Sequence, residues 1–335
     1  MRVTINDIAR EAGVSKTTVS LYLNRHRLSE HMAAATKRKI DEVIAALGYK
    51  PSATARALSR GKTQTLGLVV GGIANEYFSH FAEAALEESL SHGYQLLVSL
   101  TRWNPEEEAR CLENLTDRQA DGILYYPNLR ADTTIARKLC ENGYPLLLIE
   151  QESELFPTVR NQLGPALEKA VAELVSRGHR HIFGVFGNFS EWQNAYASAC
   201  GAHHLKTEQL QMPLSCRRER LAAAKEICRI RPSALIVNGR LAAEILIKEI
   251  TDQCPEYRPD IIMNYDFHSD IMNHELIAGV IYCHPDQLVK TAVSTLVDMM
   301  KKSNSIRQHI CVPVEFIARN DFAARLNDDH DNQWQ

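Results

Sequence analysis

Residues 14–24 run VSKTTVSLYLN, and their order suits the reading of a nucleic acid. Ser15 is a helix N-cap residue ahead of a helix that begins at Lys16. With Val19 and Leu23 turned inward, Lys16, Thr17 and Leu21 share the outer face near the helix start. In two helices joined by a tight turn, side chains in those places meet base edges in the major groove.

The neighbouring elements must hold that helix out. Thr4 caps a helix through Ile5 to Ala12, Gly13 ends it, and Ile8, Val14, Val19 and Leu23 are spaced to pack the pair. Ser29 is expected to cap a third helix to Leu47, with Ile40, Val43, Ile44 and Leu47 as its buried stripe. Charge supports the reading. Residues 1–65 hold 12 Lys/Arg against 5 Asp/Glu, whereas the remainder holds 26 against 36. A basic block on an acidic body points to a polyanionic partner, because phosphate neutralisation releases counterions.

The chain of 335 residues is long enough for two or three compact units, and its 45% hydrophobic and 24% charged residues are ordinary for a globular protein. No apolar run approaches the roughly 20 residues needed to span a bilayer, and MRVTINDIAR lacks the apolar stretch of a secretory signal, so a cytoplasmic location is expected. The eight cysteines form no CxxC pair. They are expected to be reduced thiols, with no metal site and no cofactor.

Three stretches carry a family resemblance: TINDIAREAGVSKTTVSLYLN, IDEVIAALGYKPSATARALSRGKTQTLGLVV and SRGHRHIFGVFG. The chain resembles the lactose-repressor (LacI/GalR) family of bacterial transcription factors, most specifically in its first 70 residues. The resemblance implies an α/β protein: a three-helix helix-turn-helix headpiece (1–50), a hinge helix (51–63), and an effector-binding and dimerisation domain (64–325) of the periplasmic-binding-protein type. That domain would comprise two Rossmann-like lobes, 64–157 with 286–316 and 158–285 with 317–325, followed by a flexible tail (326–335). By the same resemblance Lys16, Thr17 and Leu21 would read bases, and Thr4, Ser15, Thr18, Ser20, Asn24 and Tyr49 would support or touch the DNA backbone. In the hinge, Ala55 and Leu58 would enter the minor groove, Leu58 as an apolar wedge. Leu21 departs from the commoner polar residue, and leucine cannot make the bidentate contact to guanine.

Beyond the hinge, apolar strands alternate with helices. TLGLVVGG, YQLLVSLT, DGILYYP and PLLLIEQ are strands, with helices from Glu76, Pro105 and Asp132; HIFGVFG, SALIVNG and DIIMNYD follow, with helices near Pro165, Ser190, Arg217 and Arg240. This order predicts parallel sheets covered on both faces. VIYCHPDQL and CVPVEFIAR are expected to cross between lobes. Ligands of such sheets bind beyond the carboxyl ends of strands, where Gly71, Tyr126, Glu150, Asn238, Asp266 and His284 fall, with Tyr77 and Trp192 at nearby helix starts. Trp192 is expected to offer a stacking face and Asp266 an acceptor for hydroxyls. By the resemblance, Asn161-Gln162 stand where relatives have Asp-Asn, Trp192 where an arginine binds effector and Asn238-Gly239 where they have Asn-Asp, so charged handles are gone, while His284 replaces a frequent glutamine.

The expected function is sequence-specific transcriptional regulation, most simply repression, by a homodimer on a pseudo-palindromic double-stranded operator. A small effector, sugar-like, would bind between the lobes, with no membrane partner. The alternatives are a DNA-binding regulator that no longer senses a ligand, or a solute-binding protein without DNA function. GxGxxG, GxxxxGK[ST] and GxSxG are absent, so no enzyme is expected and no catalytic residue is assigned. The tail lacks tetramerising heptads; the resemblance implies dimerisation through helical faces near Glu76–His92 and Gln287–Lys301.

Overall fold

The computed structural model describes residues 3–24, 27–49, 61–74, 76–127, 133–187, 190–212, 216–265, 270–301 and 309–322. The chain divides into two units, Met1–Gln64 and Thr65–Gln335.

In the first unit, α1 (Ile5–Ala12), α2 (Lys16–Leu23) and α3 (Ala34–Leu47) pack around Ile8, Ala9, Ala12, Val19, Ile40 and Tyr49. Thr4 and Gly13 bound α1 as the sequence indicates. The Thr4 amide donates to Asp7 Oδ2 at 2.9 Å, and Gly13 turns the chain at φ +64°, a conformation that costs glycine little. The third helix starts later than expected. Ser29 closes a short 3-10 turn, Arg27–Ser29, and its carbonyl accepts from Met32. The backbone becomes extended at Ala33, which takes the N-cap position in place of Ser29.

The second unit holds two six-stranded sheets. Strands β1 (Thr65–Val70), β2 (Gln95–Leu100), β3 (Gly122–Tyr125), β4 (Leu146–Ile149), β5 (Thr158–Gln162) and β11 (His309–Pro313) form one, in the order β11-β5-β4-β3-β1-β2. Strands β6 (Ile182–Phe186), β7 (Gln209–Gln211), β8 (Ala234–Val237), β9 (Asp260–Tyr265), β10 (Ile277–Tyr282) and β12 (Glu315–Ala318) form the other, in the order β12-β10-β9-β8-β6-β7. All pairings are parallel except β10 with β12. The connecting helices are α4 (Glu76–Ser91), α5 (Pro105–Asp117), α6 (Thr134–Glu141), α7 (Leu163–Ser176), α8 (Ser190–Ala202), α9 (Arg217–Ile230), α10 (Arg240–Gln253) and α11 (Pro285–Lys301).

Helices cover both faces of each sheet, which is why the central strands are continuous apolar runs. α4 and α11 bury Leu66, Leu68, Val70 and Leu147 on one face of the first sheet, while α5 and α6 bury Val69, Ile123, Tyr125 and Leu148 on the other. Each such side chain contributes roughly 1.5–3 kcal/mol. The second sheet repeats the plan, with α9 and α10 over Leu235 and Val237, and α7 and α8 over Ile236 and Ile262.

Three details differ from the sequence reading. The helix expected from Asp132 runs from Thr134, because the Thr133 hydroxyl accepts from the Ala136 amide and caps it. Residues 158–162 belong to the first lobe: β5 pairs with β4 and β11, so the crossing falls after Gln162 instead of at 157–158. The return crossing lies between Pro313 and Glu315, ahead of the expected 316–317, because β12 from Glu315 onward pairs with β10 in the second sheet.

Candidate functional site

Two surfaces concentrate chemistry. On the headpiece, Ser15 Oγ accepts the Thr18 amide at 3.0 Å and lies 2.8 Å from Thr18 Oγ1, fixing the first turn of α2. Lys16 and Thr17 are exposed there, beside the unpaired amides and positive dipole end of the helix. Leu21, one turn on, is half-buried. Tyr22 donates to Asp41 Oδ2 at 2.7 Å, bracing α2 against α3, and this bond raises the phenol pKa. The face is therefore cationic, hydroxyl-bearing and rigidly mounted. Ser15→Ala will destabilise the headpiece by about 1 kcal/mol, read as a lower melting temperature of residues 1–64 by circular dichroism; an unchanged melt would deny the cap its role.

The supporting residues divide. Thr4, Ser15, Thr18 and Ser20 flank the turn, and Asn24 donates from Nδ2 to Ser20 Oγ at 3.3 Å. Tyr49 is 9% exposed and completes the headpiece core. Ala55 and Leu58 lie outside the described residues.

The second surface is the carboxyl edge of the two sheets. In the first lobe the chain switches direction between β1 and β3, and Gly71 and Tyr126 follow those strands. Tyr126 is buried, its ring 5.1 Å from Phe78, which also meets Tyr77 at 5.0 Å and Trp103 at 5.2 Å, all edge to face. Trp103 is the residue that sequence reasoning missed. A Cβ on Gly71 would fall 2.3–2.4 Å from the Trp103 indole, so glycine is required where the ring rests on the end of β1. Glu150, at φ +59°, accepts the Asn161 backbone amide at 3.3 Å and the Asn161 side-chain amide.

The second lobe contributes differently from expectation. Trp192 is 7% exposed and packs on Phe186 at 6.3 Å, inside the α7–α8 core. Its indole is committed to that core, so the expected open stacking face is not there. Asn238 is half-buried, its amide donating to Val185 O at 2.9 Å. His284 is half-buried against Tyr282, centroids 4.2 Å apart. Asp266 lies outside the described residues. The lobes touch where Glu191 Oε1 at the start of α8 accepts the Glu152 amide at 3.3 Å, and Glu152 pairs with Arg160 at 3.0 Å.

Residues 4–52, the capped helices with the exposed Lys16–Thr17 turn, match the family model for bacterial regulatory proteins of the lacI family. That match assigns residues 4–52, and not the rest of the chain, to the LacI family. Catabolite control protein A of Priestia megaterium is 31% identical over 211 residues, 62% of this chain and 62% of that relative, so the alignment spans less than two thirds of the relative's length. The fold is shared with the lac repressor dimer bound to operator and the anti-inducer ONPF, at TM-score 0.80 and 19% identity over 95% of this chain and 98% of the other. A complex of the transcriptional regulator CelR with cellobiose aligns at TM-score 0.67 and 19% identity, over 95% and 99%. The two-lobed fold of those structures is thus shared by the described sheets. No described helix is long and apolar enough to cross a membrane.

Proposed function

We propose that this chain is a sequence-specific DNA-binding transcription regulator that works as a homodimer and answers to a small, sugar-like effector held between its lobes. The observation that carries the reading is the braced first turn of α2, which presents Lys16 and Thr17 from a basic headpiece. The relatives named above are regulators, one captured on operator DNA and one with cellobiose. Lys16, Thr17 and Leu21 read base edges, with Thr4, Ser15, Thr18, Ser20 and Asn24 on phosphates. Ala55 and Leu58 take the minor-groove role on the strength of sequence alone. In the cleft, Gly71, Tyr77, Tyr126, Glu150, Asn238 and His284 line or support the effector site, and Asp266 is retained as an acceptor. The chain has no catalytic role in this reading.

Exposed apolar side chains favour the dimer. On α4, Glu88 and His92 face α11 through Ser294, at 2.9 and 3.2 Å. That flank of the helix thus meets α11 within the chain. Leu86 and Leu90 lie on the other flank, 41% and 48% exposed, and Val98 and Leu100 of the edge strand β2 are 41% and 39% exposed. Val98 and Leu100 pair in register with Leu68 and Val70, on the face that α4 covers. A second copy of the same surface would remove all four from water.

Selection of bound sequences from a randomised duplex library tests the function. A twofold-symmetric consensus, with binding that weakens as salt rises by about 0.9 log units per log unit for each phosphate contacted, is expected. Retention of binding after deletion of residues 1–60 would overturn it.

A further inference from the structure

The cleft has an aromatic floor that no motif in the sequence announces. Strand β2 ends at Leu100, and Thr101 behind it is fully buried, its amide still donating to Val70 O at 2.9 Å. Thr101 then organises the turn. Its hydroxyl accepts the Trp103 amide at 3.3 Å and its carbonyl accepts the Asn104 amide at 3.0 Å. Arg102 and Trp103 follow at φ +53° and +60°, two consecutive non-glycine residues in a left-handed conformation that such side chains avoid. Asn104 closes the turn by capping α5, its Oδ1 accepting the Glu106 amide at 2.9 Å. The strained pair delivers the indole onto Gly71, where the absent Cβ leaves room for it. Trp103 remains half-buried, propped on Phe78, so part of the ring stays open beyond the carboxyl end of β1.

The polar groups around this floor have a definite character. The first lobe's described strand ends carry Arg102, Glu150, Glu152, Glu154 and Arg160 as their charged side chains, and no lysine. Glu152 is paired with Arg160. Across the cleft, Arg240 at the start of α10 is paired with Glu244 at 2.9 Å. A phosphoryl group is ordinarily held by converging cations, and that set is missing among these residues. Acceptors are better supplied. Glu150 faces Asn161, and Asn161, 6% exposed, keeps its Oδ1 without a hydrogen-bond partner among the described residues. A buried acceptor without a donor is costly, and a donor-rich molecule brought against this wall offsets that cost.

Resting on the regulator reading above, we propose that Trp103 is the specificity-determining residue of the cleft. It selects a neutral ring with an apolar C–H face and donating hydroxyls, an unphosphorylated pyranose or short oligosaccharide, over a sugar phosphate. Trp103 thereby takes the stacking part that Trp192 cannot supply while buried on Phe186.

The test titrates the full chain with D-glucose, D-galactose, D-xylose, maltose, cellobiose and fructose 1-phosphate, following melting temperature and tryptophan emission. At least one neutral sugar is expected to raise the melting temperature and quench emission, and fructose 1-phosphate to do neither. Trp103→Phe should keep the thermal shift and lose most of the quench. Trp103→Ala should weaken binding by roughly tenfold or more. Gly71→Ala, which expels the indole without removing it, should do the same and serves if Trp103→Ala does not fold. Binding of fructose 1-phosphate in preference to every neutral sugar, no response to any neutral sugar, or Gly71→Ala binding as the parent does would overturn the proposal. Operator titration of the ligand-free protein is read separately. Its failure removes the regulator reading and leaves any sugar binding standing.

Discussion

Replacing Leu86 and Val98 together by glutamate will convert the dimer to monomer and weaken operator binding by roughly 100-fold or more. The two side chains sit on α4 and on the sheet-edge strand β2, both about two-fifths exposed. In a symmetric pair each patch meets its own copy, so the double substitution places four carboxylates in one apolar seam. Each costs several kcal/mol to desolvate without a partner. Two headpieces on one dimer gain affinity through effective concentration, by a factor on the order of 10²–10⁴, and a monomer forfeits that gain. Sedimentation velocity and a DNA titration on the same samples check both parts. A mutant that sediments as the parent does would place the interface elsewhere; a monomer with full operator affinity would break the link between assembly and recognition.

The second large effect is one of specificity. Leu21→Arg will create a preference for guanine at one symmetric position of each half-site, worth about 1–3 kcal/mol, or roughly 10–100-fold between matched and mismatched operators. Leu21 is on α2 one turn beyond the exposed Lys16 and Thr17, and it is half-buried. Leucine can offer a base only an apolar contact, such as with a thymine methyl. Arginine from the same backbone position reaches O6 and N7 of guanine together. Because α2 is braced by the Ser15 cap and the Tyr22–Asp41 bond, the substitution changes the tip and not the mounting. Competition between operators differing at that one pair measures it, and an unchanged ranking would remove Leu21 from the reading face.

Much of this was legible because local chemistry determines it. Thr4, Gly13 and Ser15 act within three residues of themselves, and the apolar runs of β1, β4 and β8 are long enough to declare buried strands. What stayed hidden depends on distant partners. β5, TVRNQ, and β7, QLQ, are short and polar, and they become strands only because β4, β11 and β6 pair with them. Ser29 looks like a cap but is spent in a turn. Trp192 was the obvious aromatic at a helix start, yet its ring packs on Phe186 within the second lobe's core. Trp103 could have been suspected from Gly71-Gly72 at a strand end, since a glycine there asks what lies against it. The paired left-handed residues that aim the indole leave no periodic signal.

The crossings between lobes also govern the order in which the molecule can be assembled. The first lobe takes its core-facing Leu288, Val289, Ala292, Val293 and Leu296 from α11 and its edge strand from His309–Pro313, although its other strands end by Gln162. On a ribosome, residues 65–162 therefore wait for residues 285–313, holding the apolar face of β1, β3 and β4 open meanwhile. The second lobe in turn takes its edge strand from Glu315–Ala318 and part of its core from Phe322, so it too closes only once that segment has emerged. Both lobes therefore complete their cores only after residues 309–322 are made, and until then their uncovered apolar faces are open to chaperones and proteases.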